Sequence, residues 1–196
     1  MNILIIDTSD NNSFVALYTP ATQDVIRLDP ERKQSQSLLP TLIELLQKNN
    51  LRPTQLDAIS IGNGPGSFTG TRIGVMAAKT LAYASKCPLV SFCSLAKYIP
   101  KNDGTFVVVS DGKRHGYYTL QGIKAGEKYT FHSMPHLVPK EELPEELHCI
   151  TGDSTIARLE RATLDPSHLY HSATTAVKRK RFIDPMRLSI NYLTTP

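Results

Sequence analysis

Residues 2–7 open the chain with an unbroken aliphatic run, Ile3-Leu4-Ile5-Ile6, that ends in Asp7. Aliphatics without polar alternation predict a strand buried on both faces. Asn11-Asn12 predicts a turn. Ser13 to Tyr18 alternates loosely as a second strand, and Val25 to Leu28 reads as a third. The period then changes. Leu38, Leu39, Leu42, Ile43, Leu45 and Leu46 predict a helix from about Ser37 to Lys48, with Pro40 tolerated in its first turn. At about 100° per residue these side chains cover roughly 160° of the helix surface. A stripe a little over ~100° wide suffices to pack on one sheet, so the surplus implies deeper burial or a second contact. Leu56 to Ile61 predicts the next strand, followed by a glycine-rich loop and an alanine-rich helix running to Ser85. Leu89-Val90 starts a short strand, and Cys93 to Tyr98 reads as a brief helix.

Pro100-Lys101-Asn102-Asp103-Gly104 is the best boundary, dividing the chain into residues 1–102 and a smaller part, 103–196. The opening pattern then recurs. Phe106 to Val109 is a buried aliphatic strand leading into Asp111, and Tyr117 to Leu120 is its hairpin partner. Pro135 to Pro144 reads as an irregular acidic connector, and Cys149 to Asp153 as a strand end. Ser154 can cap a helix reaching about Arg161, and a last short helix over Arg187 to Leu193 is expected to pack back on the first part.

The densest local signal is Gly62-Asn63-Gly64-Pro65-Gly66-Ser67-Phe68-Thr69-Gly70-Thr71-Arg72-Ile73-Gly74, with five glycines and a proline in thirteen residues. Its order is strand, tight loop, helix, with Ser67 or Thr69 available as a cap. It is not a Walker A loop, since no Gly-Lys-Ser/Thr follows, and its glycine spacing does not match the dinucleotide fingerprint. A generic anion site at the helix start or a purely structural turn both fit. Beyond the loop, Gly70, Gly74, Ala78 and Ala82 recur every four residues and share one helical face. Glycine within a helix costs about 1 kcal/mol relative to alanine, so something approaches this backbone closely. The approach is either an element of the same domain or a partner helix.

Composition adds few constraints. The chain has 196 residues, 40% hydrophobic and 20% charged, which is ordinary for a globular protein. No apolar run has the length of a membrane span, and no signal sequence is recognisable at the start, so a cytoplasmic protein without membrane association is expected. Three cysteines, Cys87, Cys93 and Cys149, without a Cys-x-x-Cys pair indicate neither a disulfide framework nor zinc. His132 and His136 flank Pro135 outside any metal motif, and no metal site is assigned. The net charge of +4 owes much to Lys178-Arg179-Lys180-Arg181, a solvated run or a tRNA phosphate contact.

Gly64-Pro65-Gly66-Ser67-Phe68-Thr69-Gly70-Thr71-Arg72-Ile73-Gly74 resembles the signature of the bacterial TsaB (YeaZ) family. The opening Ile3 to Ser9, ending Asp-Thr-Ser, and Ser35-Gln36-Ser37-Leu38-Leu39-Pro40 resemble two further family segments. The likeness covers residues 1 to about 100. Gln34 stands where the family usually has histidine. Asp111 and Tyr118 fit a fourth family segment, Asp-Ala-Arg-x-x-Glu-Val-Tyr, from which Lys113 and Gly116 depart. Tyr192-Leu193 resembles a Tyr-Leu-Arg tail, with Thr194 in the arginine position.

The resemblance, and the two matched halves each ending a strand in Asp, imply an α/β, actin-like (ASKHA, ribonuclease H-like) fold of two reduced subdomains. In actin-like enzymes such aspartates flank nucleotide phosphates and magnesium, so Asp7, Thr8, Ser9 and Asp111 are the candidate nucleotide-contacting residues. The turn after Asp7 has no glycine to wrap a phosphate. The family likeness therefore implies a non-catalytic scaffold without catalytic residues of its own. It would activate and dimerise with a TsaD-type subunit that makes threonylcarbamoyladenosine in tRNA. A TsaE-type ATPase would join them, the free chain could form a homodimer, and tRNA would be met only through the complex. No tightly bound cofactor is implied, with ATP and magnesium entering only in the assembly. The expected partner surface comprises Gly70, Gly74, Ala78, Ala82, Leu39 and Ile43. Two rival readings are a small ATP-dependent phosphotransferase using Asp7 and Asp111, and a direct tRNA-binding module using Lys178 to Arg181.

Overall fold

The computed structural model describes residues 1–132, 134–143, 148–153 and 155–193. The aliphatic opening forms β1 (Ile3–Asp7), which pairs antiparallel with β2 (Phe14–Tyr18), itself antiparallel to β3 (Gln23–Arg27). On the other side β1 pairs parallel with β4 (Ala58–Gly62), and β4 pairs parallel with β5 (Leu89–Phe92). The sheet order is β3-β2-β1-β4-β5. Every residue of β1, β2 and β4 is buried, as an unbroken apolar run requires in a strand covered on both faces.

Alternate side chains of β1 feed two different cores. Leu4 and Ile6, with Val15, Ile59 and Ile61, pack under α1 (Gln34–Lys48) and α2 (Phe68–Ser85). Ile3 and Ile5, with Phe14 and Ala16, face the second sheet and α3 (Ser167–Lys178). The α1 helix starts three residues before Ser37, so Pro40 lies in the second turn rather than the first. Without an N–H, it cannot donate to the carbonyl four residues back.

Residues 98–164 supply the remaining strands. They are β6 (Tyr98–Ile99), β7 (Gly104–Asp111), β8 (Tyr117–Ala125), β9 (Lys128–Phe131), β10 (His136–Val138), β11 (His148–Thr151), β12 (Glu160–Arg161) and β13 (Thr163–Leu164). The second sheet has the order β10-β8-β7-β11-β12, with β9 pairing the far half of β8. It repeats the scheme of the first: an antiparallel hairpin beside two parallel strands. Phe106, Val108, Leu120 and Ile150 face the first sheet, while Val107, Val109 and Cys149 face away.

Two expected helices are absent. The helix proposed from Ser154 is replaced over residues 155–161 by turns and β12, and Ser154 itself lies outside the described residues. Residues 187–193 form no helix; they run as a strap along α2. Conversely, α3 carries only Leu169 and Ala173 as fully buried residues, a periodicity too sparse to stand out. The chain also does not stay in its second part after residue 103. β13 pairs with β6, α3 packs on β1, β4 and β5, and the Ile183 N–H donates to the Leu89 carbonyl. Among the described residues no helix is long and apolar enough to cross a membrane.

Candidate functional site

β1 ends in a turn, Asp7-Thr8-Ser9-Asp10, on which the glycine-rich loop is built. The Ser67 N–H donates to the Ser9 carbonyl at 2.6 Å, and the Thr8 hydroxyl donates to the Gly70 carbonyl at 2.7 Å. Ser67 is the cap of α2, accepting from the Gly70 N–H at 3.2 Å. Gly64 holds φ at +98°, in the region that favours glycine, and the Gly64–Pro65 peptide is cis. A Cβ on Gly62 would run into the Asp7 carboxylate, and one on Gly70 into the Thr8 carbonyl. Gln34 binds the same turn from α1. Its amide reaches the Ser13 hydroxyl at 2.9 Å and the Asp10 and Thr8 carbonyls at 3.3 and 3.4 Å.

The small-residue stripe faces inward. Gly70, Gly74, Ala78 and Ala82 are all buried, and a Cβ on Gly74 would collide with the Thr8 hydroxyl. The close approach that their spacing implies is made by the chain's own β1 turn and sheet. These four residues are therefore unavailable as a surface for a partner helix.

Leu39 and Ile43 are placed differently. They are 55% and 52% exposed. Lys48 and the following Asn49 reach Asp24 of β3, each at 2.8 Å, so that flank of α1 faces the sheet edge. At about 100° per residue Leu39 and Ile43 stand roughly 140–180° around the helix from Lys48, on the flank toward α2. On α2, Met76 and Tyr83 are 60% and 75% exposed. The outer layer thus carries large apolar side chains from both helices. Beside them the strap ends in a cluster. The Arg72 guanidinium lies 3.6 Å over the Phe68 ring, and its Nε donates to the Tyr192 hydroxyl at 2.7 Å.

The candidate nucleotide residues do not form an open site. Asp7, Thr8 and Ser9 are buried, and the Asp7 carboxylate is ion-paired within the chain. The Lys97 Nζ lies 2.6 Å from Asp7 Oδ1, 2.9 Å from Asp10 Oδ1 and 3.0 Å from the Ser9 hydroxyl. Burial disfavours the ammonium, but the Asp10 and Asp7 carboxylates outweigh that cost and raise its pKa above the ordinary lysine value. Asp7 Oδ2 is buried without a hydrogen-bond partner. Asp111, at the matching end of β7, is held by Lys140 at 3.3 Å and Lys113 at 3.4 Å. Partial burial pushes its carboxyl up, yet the Lys113 N–H and the Lys140 ammonium hold it below the usual range. Among the described residues no group of three or more His, Cys, Asp or Glu is arranged to hold a metal.

Lys97 escaped the reading of the sequence. The available signal was a lone cation inside Leu95-Ala96-Lys97-Tyr98-Ile99, an otherwise apolar stretch without a solvent face. The basic run is also resolved. Lys178 closes α3 and Arg179 to Arg181 follow it, all exposed, where cations complement a helix C-terminus.

The family model described as TsaD, tRNA N6-adenosine threonylcarbamoyltransferase, matches residues 28–131, just over half of the chain. The tRNA threonylcarbamoyladenosine biosynthesis protein TsaB of Escherichia coli K12 is 34% identical over 121 residues, 59% of this chain and 52% of that protein. Its Bacillus subtilis 168 counterpart is 34% identical over 123 residues, 61% and 54% of the two chains. The chain belongs to this family, on its TsaB (YeaZ) branch. It spans about half the length of these TsaB relatives. Two solved structures from Pseudomonas aeruginosa agree in fold. One is a protein described as similar to the peptidase YeaZ, with TM-score 0.83 and 21% identity, covering 98% of this chain and 99% of that one. The other is YeaZ itself, with TM-score 0.80, 23% identity and the same coverage. The TsaB-type fold is thus of the actin-like, ribonuclease H-like kind, with its two mixed sheets.

Proposed function

We propose that this TsaB-type chain is a non-catalytic scaffold for threonylcarbamoyladenosine formation in tRNA, working in the cytoplasm as the activating partner of a TsaD-type subunit. The observation that carries this reading is the apolar outer layer of α1 and α2. Leu39, Ile43, Met76 and Tyr83 are each at least half exposed, on helices whose inner faces already satisfy their own core. Large side chains left in water on two adjacent helices suit a helical partner, which would bury them.

In this reading the TsaD-type subunit supplies the transferase chemistry, and a TsaE-type ATPase joins the pair. tRNA reaches this chain only through the complex. ATP and magnesium enter with the assembly, and the free chain pairs with a second copy through the same layer. The buried glycine stripe contributes indirectly: by admitting the β1 turn it seats α2 on its sheet, while Met76 and Tyr83 stand on the side of the helix away from that stripe.

The test is complementation and binding together. The chain is expected to co-purify with a TsaD-type subunit and to restore threonylcarbamoyladenosine in tRNA of cells depleted of their own TsaB. Leu39→Glu with Ile43→Glu is expected to abolish both while the monomer stays folded. Restoration of the modified nucleoside by that double variant would refute the α1/α2 assignment.

A further inference from the structure

Lys97 has a completely buried side chain, and it lies ninety residues from the carboxylate it pairs with. An ammonium has three protons and no acceptor. Here three oxygens surround it, from Asp7, Ser9 and Asp10. Around this group the two halves of the molecule are joined directly. The Tyr98 hydroxyl donates to Asp10 Oδ2 at 2.8 Å. The Asn12 amide donates to the Tyr98 hydroxyl at 2.8 Å and to the Gly152 carbonyl, in the second half, at 2.9 Å. A Cβ on Gly152 would enter the Tyr98 ring. The β1–β2 turn and the end of β11 are therefore in contact, at the seam between the two halves.

We infer that Lys97 is a permanent internal cation that takes the position a divalent metal would need at Asp7 and Asp10, so that the β1 end is a closed structural hub instead of a metal–nucleotide site. A magnesium ion there would require oxygens at about 2.0–2.1 Å in an octahedron that keeps several waters. Asp7 has no exposure to water, one of its oxygens is committed to Lys97, and the other is enclosed beside Gly62 and Ser94. A phosphate would have to part Asn12 from Gly152 and Tyr98. The same hub carries the hydrogen bonds from Thr8 and Ser9 that seat the first turn of α2. Lys97 is thus a positioning residue for that helix, acting through the β1 turn. This inference is independent of which partner the outer layer binds.

Two measurements test it on the full chain. The first is thermal melting of Lys97→Met alone and combined with Asp7→Asn. Removing one member of a buried pair leaves the other charge uncompensated, whereas removing both charges can be nearly neutral. Lys97→Met is expected to lower Tm by roughly 10 °C or to prevent folding, and the double variant is expected to recover most of that loss. A single variant that melts like the wild type, or a double variant no more stable than the single, would overturn the inference, because Lys97 would then be only a space-filling side chain. The second measurement is titration of the wild-type chain with Mn²⁺ and with Mg²⁺–ATP, by calorimetry and thermal shift. No saturable binding that Asp7→Asn abolishes is expected; finding it would show that the hub opens to metal.

Discussion

The hydroxyl of Thr8 lies 2.7 Å from the carbonyl oxygen of Gly70, joining the end of β1 to the first turn of α2 across 62 residues of sequence. The same hydroxyl occupies the space that a side chain on Gly74 would take. The glycines of α2 are therefore matched to the β1 turn, and this contact governs how the helix sits on its sheet.

Gly74→Leu is accordingly expected to overpack the interior, at a cost of roughly 1–3 kcal/mol or more. This outweighs the roughly 1 kcal/mol gained from leaving glycine within a helix. Gly74→Ala should be milder, and Thr8→Ala should relieve part of its cost, since the two side chains compete for one space. Denaturant unfolding of the single and double variants measures the coupling. Strict additivity would show that Thr8 is not the obstacle.

Leu39→Glu and Ile43→Glu should behave in the opposite way. Both positions are more than half exposed, so each change is expected to alter stability by no more than about 0.5 kcal/mol. Association with the TsaD-type subunit should nevertheless fall strongly, because an unpaired carboxylate would be buried in the interface. Sedimentation with and without the partner, beside a melting curve of the chain alone, separates the two effects.

His168 provides a pH response. Burial lowers its imidazole pKa below the ordinary 6.5, partly opposed by the nearby Asp165. The unfolded chain then binds the proton more readily than the folded one, so stability is full above pH ~6.5 and declines as pH falls below it. His168→Phe retains the ring contacts with Tyr129 and Phe131 and removes the titration. The variant is expected to show a shallower loss of stability between about pH 6.5 and 5, read from urea midpoints across that range. An unchanged slope would assign the pH dependence elsewhere.

The basic run should matter little for tRNA on its own. Lys178→Ala with Arg179→Ala removes two exposed cations at the end of α3. A loss of about 0.3–1 kcal/mol of stability is expected from the helix dipole. tRNA affinity of the isolated chain at physiological salt should stay nearly unchanged. A tenfold fall in that affinity would favour direct tRNA contact through this segment.

Much of the fold was legible where its signals are local. The aliphatic runs at Ile3 to Ile6 and Phe106 to Val109 declare strands with two buried faces, and the glycine-rich loop declares a turn opening a helix. A cap at Ser67 or Thr69 is recognisable from position, and the structure uses Ser67. α3 was not legible: Leu169 and Ala173 are too few to mark a face among threonines, serines and histidines. The strap over α2 is extended instead of helical: Leu188, buried in the first core, and Ile190, packed beside it, stand two residues apart, the spacing of an extended segment, and so short a stretch carries no helical period.

By itself, then, the sequence determined that the chain has two strand-led halves, a glycine loop matched to the TsaB signature, and a helix stripe onto which something must pack closely. Only the tertiary structure decided what packs there, and the answer was Thr8 and Gln34 of the same chain rather than a partner. It alone brought Lys97 to Asp7 and Asn12 to Gly152. The physical reason is the same in each case. Periodicity and turn chemistry act between residues a few positions apart and are written in the local order. The partner of a buried charge, or the atom that faces a glycine, is set by chain closure over tens of residues, which no local pattern encodes.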